Sequence, residues 1–291
     1  EDFEAAGNRV FLTGETAMGW NDTDLAGNAE QYDTISRYMG PFGLDGQFDF
    51  VLYHGVSYRS FAYHEKGMLH ADYWTQHGLE RWPQGAIMTP YIGSHDTPRF
   101  VSLADYRGQD AAHGQDVPGH QWDNIAQAPQ DSEGQLRMRA AMAWLLGLPG
   151  APLLYYGDEY GQWGGADPNN RVMWRDGAEL NADEQATLAL VRKLGTARQQ
   201  VAALRRGAYV PLWADEDGLA FGRKIKAGDA AVVAVNRSAA GKMVEVEVSN
   251  SLGLAAQKQL KDRLGGPAVV VNGLGKAAFS VPAHGAVILA P

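Results

Sequence analysis

The 291-residue chain contains no cysteine. Disulfides, thiolate metal sites and cysteine nucleophiles are therefore excluded, although this absence says little about the cellular compartment. Long hydrophobic runs are also missing, and because no apolar stretch reaches the length that crosses a bilayer, we expect no membrane partner. Basic residues are scarce at the start, where Arg9 is the only one between Glu1 and Ser36. With the net charge of −9, this argues against a nucleic-acid partner.

Several enzyme signatures are absent as well. The chain has no H-E-x-x-H, P-loop, G-x-S-x-G or dinucleotide-binding motif. What is present is an ordinary apolar share of 45% in a chain long enough for one large domain or two smaller ones. The chain opens without an initiator methionine or a signal-like leader. We therefore expect a piece of a longer protein, whose compartment the sequence leaves open.

Short apolar segments recur through the first 160 residues, separated by helical or loop material. They are Val10–Gly14, Phe48–Tyr53, Ala86–Ile92 and Pro152–Tyr156. Strands that alternate with helices predict a parallel sheet, and functional residues at the carboxyl ends of its strands are typical of a (β/α) barrel. Four strands cannot close an eight-stranded barrel. The pattern therefore predicts part of one.

Two helices have clear start signals. Ser132 with Gln135 predicts a capping box, followed by a helix that ends before Pro149. Asn181 with Glu184 predicts a second, whose apolar period continues to Leu204.

From about Ala208 the pattern changes to short β-branched segments separated by turn residues. This predicts a small antiparallel, sandwich-like domain joined directly to the preceding helix. The predicted strands are Leu219–Ile225, Ala230–Asn236, Val244–Val248, Ala268–Val271, Ala277–Val281 and Ala286–Leu289.

Two of the predicted strands end in carboxylates. Glu15 follows the first, and His95 with Asp96 follows the third. Paired carboxylates favour chemistry on a sugar, with Glu15 as general acid and with Asp96 and His95 gripping neighbouring hydroxyls. Two alternatives remain open. Glu15 can be an ordinary loop glutamate, and Asp96, just before Thr97-Pro98, can cap a helix.

Three further candidates have a structural alternative beside the functional one. Trp20 offers a stacking face for a sugar ring or is simply a half-buried aromatic. Asp167 and Arg171 bind outlying hydroxyls or brace their own loop. Residues 22–28 carry oxygen ligands of the kind that Ca²⁺ takes, but they lack the EF-hand pattern, so we favour a turn-rich loop.

Together these stretches resemble the α-amylase family of glycoside hydrolases (family 13). Gly14-Glu15 is similar to the family's fifth-strand motif, whose glutamate is the acid/base. Ser94–Asp96 is similar to the seventh-strand motif, usually Asn-His-Asp, whose aspartate stabilises the transition state and whose histidine binds hydroxyls. Leu148–Glu159 resembles the eighth-strand segment. Asp167–Arg171 resembles a sugar-binding loop, and Val281–Val287 resembles the end of the C-terminal sandwich.

The resemblance implies an α/β fold: the C-terminal half of a (β/α)8 TIM barrel, residues 1–207, followed by an antiparallel β-sandwich domain, residues 208–291. It implies a retaining hydrolase of α-1,4-glucans such as starch and maltooligosaccharides. A family transglycosylase or isomerising enzyme remains open, and a non-catalytic scaffold subunit is the alternative from another class. The implied site residues are Glu15 and Asp96 for catalysis and His95, Trp20, Asp167 and Arg171 for substrate binding.

One family motif is missing. The fourth-strand G-x-R-x-D, which carries the nucleophilic aspartate, does not occur, because no arginine is followed two residues later by aspartate. We therefore expect the nucleophile to come from a partner, the N-terminal half of the same enzyme, and this chain alone to be inactive. A half-barrel would leave exposed strand edges and apolar faces that such a partner covers. The family also implies Ca²⁺ as a cofactor, with ligands mostly outside this chain.

Overall fold

The computed structural model describes residues 10–106, 126 and 128–291, so part of the acid-rich start of the chain lies outside the described residues. The helices are Ala29–Ser36, Phe50–Leu52 continuing as a π-helical segment Tyr53–Ala62, Met68–Leu79, Phe100–Tyr106, Glu133–Gly147, Ala182–Gln200, Ala202–Arg206 and Ser249–Leu252. The strands are β1 (Thr13–Gly14), β2 (Gly46–Gln47), β3 (Ala208–Ala214), β4 (Gly218–Lys226), β5 (Asp229–Asn236), β6 (Lys242–Glu247), β7 (Gln259–Asp262), β8 (Val269–Val270), β9 (Lys276–Val281) and β10 (Gly285–Ala290).

A row of parallel, strand-like segments forms the first part of the chain. β1 pairs with β2 in parallel. The third segment joins β2 because the Thr89 N–H donates to the Gln47 carbonyl at 2.9 Å. The fourth joins the third through the Ala151 N–H, which donates to the Met88 carbonyl at 2.9 Å. The segments therefore lie side by side in chain order, with their carboxyl ends at one edge, as the predicted parallel sheet requires.

The predicted strand Phe48–Tyr53 is wrong over most of its length. The strand pairing ends at Phe48, which bridges to Thr89, and a helix begins at Phe50. The Asp49 carboxylate accepts the Leu52 N–H at 3.0 Å and so starts that helix. The apolar run is continuous because both a buried strand end and a buried helix start need apolar side chains, and a short run cannot distinguish the two.

Both predicted helices form, but only one of the two predicted capping boxes is present. Asn181 and Glu184 make the reciprocal capping box at the start of Ala182–Gln200. Ser132 precedes Glu133–Gly147 but caps nothing, because its hydroxyl donates to Asp183 instead. The periodic pattern to Leu204 covers two helices, since the first ends at Gln200 and a short second one follows.

The C-terminal part contains two antiparallel sheets. The larger has the order β3-β4-β5-β10-β7-β8, and β6 pairs with β9. The six predicted strands are all present with ends shifted by a few residues. The prediction missed β3, β7 and the helix Ser249–Leu252 between β6 and β7. The boundary between residues 207 and 208 stays a prediction, although β3 begins there.

The larger sheet separates two cores because successive side chains in a strand point to opposite faces. Phe221 and Val233 join the core shared with the helices, whereas Ala220 and Val232 join the core between the two sheets. The end of helix Glu133–Gly147 packs closely on the first face: a Cβ on Gly147 would lie 2.9 Å from a methyl carbon of Val233. Any larger residue at position 147 would therefore displace the Val233 or Phe221 side chain. No helix in the described part of the chain is long and apolar enough to span a membrane.

Candidate active site

Glu15 and Asp96 line the same cleft at the carboxyl edge of the parallel segments. The cleft has a volume of about 360 Å³, and its polar lining includes both carboxylates and Ser94. Glu15 follows β1 directly, and Asp96 follows the third segment, so β2 lies between the strands that carry them. The parallel arrangement thus brings together two acids that lie 81 positions apart in the sequence.

His95 stands between the two acids. Its Nε2 atom lies 3.2 Å from an Asp96 oxygen and 3.8 Å from a Glu15 oxygen. One ligand atom from each of the three side chains falls within a span of 4.8 Å. Glu15 is therefore no isolated loop glutamate, because its carboxylate lies beside an imidazole and a second carboxylate.

The turn that carries Asp96 is held by its own polar groups. The Ser94 N–H donates to the Thr97 hydroxyl at 2.8 Å, and the Asp96 N–H donates to the Ser94 hydroxyl at 3.2 Å. The Ser94 backbone and hydroxyl thus close the turn. The helix that follows begins only at Phe100, and the Asp96 carboxylate contacts His95 and Arg171, so helix capping does not describe its role.

The loop containing Asp167 and Arg171 reaches this turn. The Arg171 Nε atom lies 2.7 Å from an Asp167 oxygen, as the loop-brace alternative predicts. The same guanidinium also lies 3.4 Å from an Asp96 oxygen, and Nε donates to the His95 carbonyl at 3.2 Å. The loop brace is therefore present, and it directs the guanidinium towards Asp96. The binding of outlying sugar hydroxyls by this pair stays a prediction.

Aromatic rings line the same cleft as the acids. Phe50 and His54 are stacked with their ring centroids 6.4 Å apart, and Tyr91 stacks on Tyr53 at 4.6 Å. Burial, and secondarily the charge of Arg59, lowers the pKa of His54 to about 4, so its ring is neutral near pH 7. Burial raises the pKa of Tyr91 well above its usual value. A cleft lined by both uncharged rings and carboxylates suits a sugar, which has apolar faces and hydroxyl edges.

A buried ion pair lies behind the site. Arg99 is 1% exposed, and its guanidinium lies 3.3 Å from an Asp158 oxygen and 4.1 Å from the centroid of the Tyr155 ring. Burial raises the pKa of Asp158 to about 6 even though Arg99 opposes the shift. Sequence reasoning assigned no role to Arg99, Asp158 or the buried Asn170. A linear sequence does not show which polar side chains are buried. The one available signal was that Asn170 directly precedes Arg171, which was already a candidate site residue.

Trp20 does not fit its predicted role as a stacking platform. Its side chain is 8% exposed and is absent from the lining of the cleft. The ring lies 5.4 Å from that of Trp74, and the Arg59 guanidinium lies 5.1 Å from its centroid. Neighbouring side chains therefore occupy the surface that a sugar would need, and Trp20 belongs to the core.

Several oxygen ligands of the loop of residues 22–28 already have partners within the protein, and Ca²⁺ stays a prediction. In the loop of residues 22–28, the Asn28 side-chain oxygen accepts the Asn21 N–H, the Asp24 carboxylate accepts the Gly27 N–H, and Asp22 pairs with Lys66. Among the described residues, one group of three His, Asp or Glu side chains is close enough to share an ion, and it is the cleft trio itself. One imidazole and two carboxylates do not match the six to eight oxygens that Ca²⁺ prefers.

Comparison with known proteins supports an assignment. No family model matches the chain. It is 28% identical over 211 residues to an amylopullulanase of Thermoanaerobacter thermohydrosulfuricus, covering 72% of this chain and 13% of the relative. It is 27% identical over 266 residues to a cyclomaltodextrinase of Thermoanaerobacter pseudethanolicus, covering 90% and 38%. It is 33% identical over 243 residues to a cyclomaltodextrin glucanotransferase of Bacillus sp. strain 1011, covering 81% and 31%.

Solved structures show the same fold. An Anoxybacillus α-amylase aligns with a TM-score of 0.71 at 23% identity, over 97% of this chain and 52% of that one. The α-amylase of Geobacillus thermoleovorans in complex with acarbose aligns with a TM-score of 0.71 at 23% identity, over 96% and 52%. The chain thus spans about half the length of these structures and less of the curated relatives.

The relatives and the fold point to one family. The chain belongs to the α-amylase family of glycoside hydrolases.

Proposed function

We propose that this chain is part of a retaining glycoside hydrolase that cleaves α-1,4 bonds in starch and maltooligosaccharides. The observation that carries the proposal is the meeting of Glu15 and Asp96 in one cleft, with His95 between them. Glu15 is the acid/base, Asp96 stabilises the transition state, and His95, Asp167 and Arg171 bind sugar hydroxyls.

The reaction proceeds in two steps. In the first, the protonated Glu15 gives its proton to the glycosidic oxygen while a carboxylate nucleophile bonds to the anomeric carbon, so the electrons of the broken C–O bond leave with the alcohol. In the second, Glu15 takes a proton from water, the water oxygen bonds to the same carbon and the nucleophile is released. Asp96 and His95 hold ring hydroxyls more tightly as positive charge develops on the sugar ring.

The nucleophile comes from an N-terminal half of the same enzyme. Two observations support this partner besides the missing G-x-R-x-D motif. Within the described residues β1 pairs with β2 alone, which leaves its other edge open. Beside that edge Val10, Phe11 and Leu12 are 40%, 43% and 49% exposed. Open strand edges with apolar side chains are typical of surfaces that another segment covers. We therefore expect purified residues 1–291 to hydrolyse no starch, and measurable turnover would contradict the partner.

Replacing Glu15 by Gln in the full-length protein tests the function. An amide keeps the size of the side chain but cannot transfer the proton, so turnover on starch falls by roughly 100- to 10,000-fold. Glu30→Gln is the matched control, because Glu30 is an exposed glutamate on helix Ala29–Ser36. Full turnover by the Glu15→Gln variant would point to a non-catalytic scaffold.

Transglycosylation is the second candidate, favoured by the likeness to a cyclomaltodextrin glucanotransferase. Hydrolysis creates one new reducing end for each bond broken, whereas transfer conserves their number. Counting reducing ends while following chain length separates the two activities.

A further inference from the structure

Asn170 lies at the junction between the loop of Arg171 and the turn that carries His95 and Asp96. Its side chain is fully buried, with 0% exposure. The Nδ2 group donates to the His95 carbonyl at 2.7 Å and to the Thr97 carbonyl at 2.8 Å. The Ser94 carbonyl lies at 3.4 Å from the same nitrogen. One amide group therefore contacts three of the four carbonyls of the turn.

The turn holds Asn170 in return. Arg99, just beyond the turn, donates from Nε to the Asn170 carbonyl at 2.8 Å, and its own N–H donates to the Gly164 carbonyl at 3.1 Å. The buried guanidinium is itself held by Asp158. The two segments are thus joined in both directions, and the Asn170 side chain cannot move without moving the turn.

The position of the turn decides where two cleft side chains stand. His95 and Asp96 project from it towards Glu15. The His95 Nε2 atom lies 3.8 Å from a Glu15 oxygen and 3.2 Å from an Asp96 oxygen, so a small shift of the turn would change the contact with Glu15. Without the amide, the buried carbonyls of Ser94 and Thr97 would lack this donor, so the turn would shift to find water or another partner. A displacement of about 1 Å at a reacting site can cost on the order of 100-fold in rate.

We propose that Asn170 is a positioning residue, which holds the turn Ser94–Thr97 so that His95 and Asp96 face Glu15. The inference rests on the proposed function. Asn170 touches no substrate in this role and acts through the backbone of the turn.

Asn169 is the matched control. It is the same residue type, is also 0% exposed, and precedes Asn170 directly. Its side-chain oxygen accepts the Gly165 N–H at 2.7 Å and the Ala126 N–H at 3.0 Å, so it does not hold the turn. Loss of Asn169 therefore measures the general cost of removing a buried asparagine from this loop.

The experiment compares Asn170→Ala with Asn169→Ala in the full-length enzyme, measuring kcat, KM and the thermal midpoint. We expect kcat to fall about 10- to 100-fold for Asn170→Ala with KM changed less than about threefold, and kcat to change less than about threefold for Asn169→Ala. Equal kcat losses for the two variants would overturn the inference. An unmutated enzyme inactive on every α-glucan would instead overturn the proposed function.

A double-mutant cycle with Asp96→Asn separates positioning from a general structural effect. If Asn170 acts through the turn, Asn170→Ala costs less than about threefold once the Asp96 carboxylate is gone. Losses that multiply in the double variant contradict the inference.

Asn170→Asp covers the case in which the alanine variant does not fold. A carboxylate is nearly the same size but donates a hydrogen bond only when protonated. The kcat of the Asn170→Asp variant, divided by that of the unmutated enzyme, should therefore rise towards acid pH. A ratio that does not change with pH contradicts the inference.

Discussion

The guanidinium of Arg171 lies 3.4 Å from the carboxylate of Asp96, although 75 positions separate the two residues in the sequence. Both side chains are about half exposed, so the contact adds little to stability. Its consequence is orientation, because Arg171 is anchored on the other side by Asp167 at 2.7 Å. The Asp96 carboxylate is therefore already oriented when positive charge develops on a bound substrate.

Arg171→Lys therefore affects catalysis more than folding. A lysine cannot contact Asp167, Asp96 and the His95 carbonyl at once, as the planar guanidinium does. We expect KM for maltooligosaccharides to rise about tenfold in the full-length enzyme, with the thermal midpoint changed by less than about 2 °C, since exposed ion pairs contribute about 0–1 kcal/mol. Steady-state kinetics and calorimetry check this, and a large loss of stability with unchanged KM would refute it.

Asp49→Asn should stabilise the protein in a pH-dependent way. Burial raises the pKa of Asp49 to about 6 from an ordinary value of 3.8, so the folded state binds this proton more tightly than the unfolded state. The ionised carboxylate therefore costs free energy as pH rises from about 4 through 6. Asparagine accepts the same Leu52 N–H without charge.

Urea unfolding of the full-length protein measures the effect. At pH 7.5 the Asp49→Asn variant should be more stable by up to about 3 kcal/mol, and the gain should vanish near pH 4. Asp33→Asn, on an exposed helix position, serves as the control and should show no such trend. A gain that persists at pH 4 would mean that charge is not its origin.

Helix capping predicts different costs for two similar residues. Asn181→Ala removes a side chain that accepts the Glu184 N–H at 3.0 Å, and we expect a loss of about 1 kcal/mol in the free energy of unfolding. Ser132→Ala removes only an exposed hydroxyl that donates to Asp183, so the loss stays below about 0.5 kcal/mol. Chemical denaturation ranks the two, and equal losses would contradict the capping assignment.

Trp20→Phe tests whether this ring belongs to the core. Because the indole packs against Trp74 and Arg59, the smaller ring should lower the free energy of unfolding by about 1–3 kcal/mol. KM for maltooligosaccharides should stay the same. An increase in KM at unchanged stability would restore the sugar-stacking role.

Much of this protein follows from local pattern. The parallel segments ending at Glu15 and Asp96, the Asn181 capping box and most strands of the C-terminal sheets are encoded by residues close together in sequence, because periodicity, caps and turns are local properties. The same locality explains the errors. Phe48–Tyr53 reads as a strand since an apolar run does not reveal where a strand becomes a helix, and Ser132 meets all the sequence criteria of a cap yet bonds Asp183.

What only the tertiary structure decided is which polar groups meet. The sequence alone marked Glu15, His95 and Asp96 as candidates, but their approach to within 4.8 Å depends on strand order. Trp20 became a core residue because distant side chains cover it. Asn170 became the donor to a turn more than 70 positions away, since the carbonyls of the buried residues Ser94 and Thr97 need donors and chain folding alone determines which one is near.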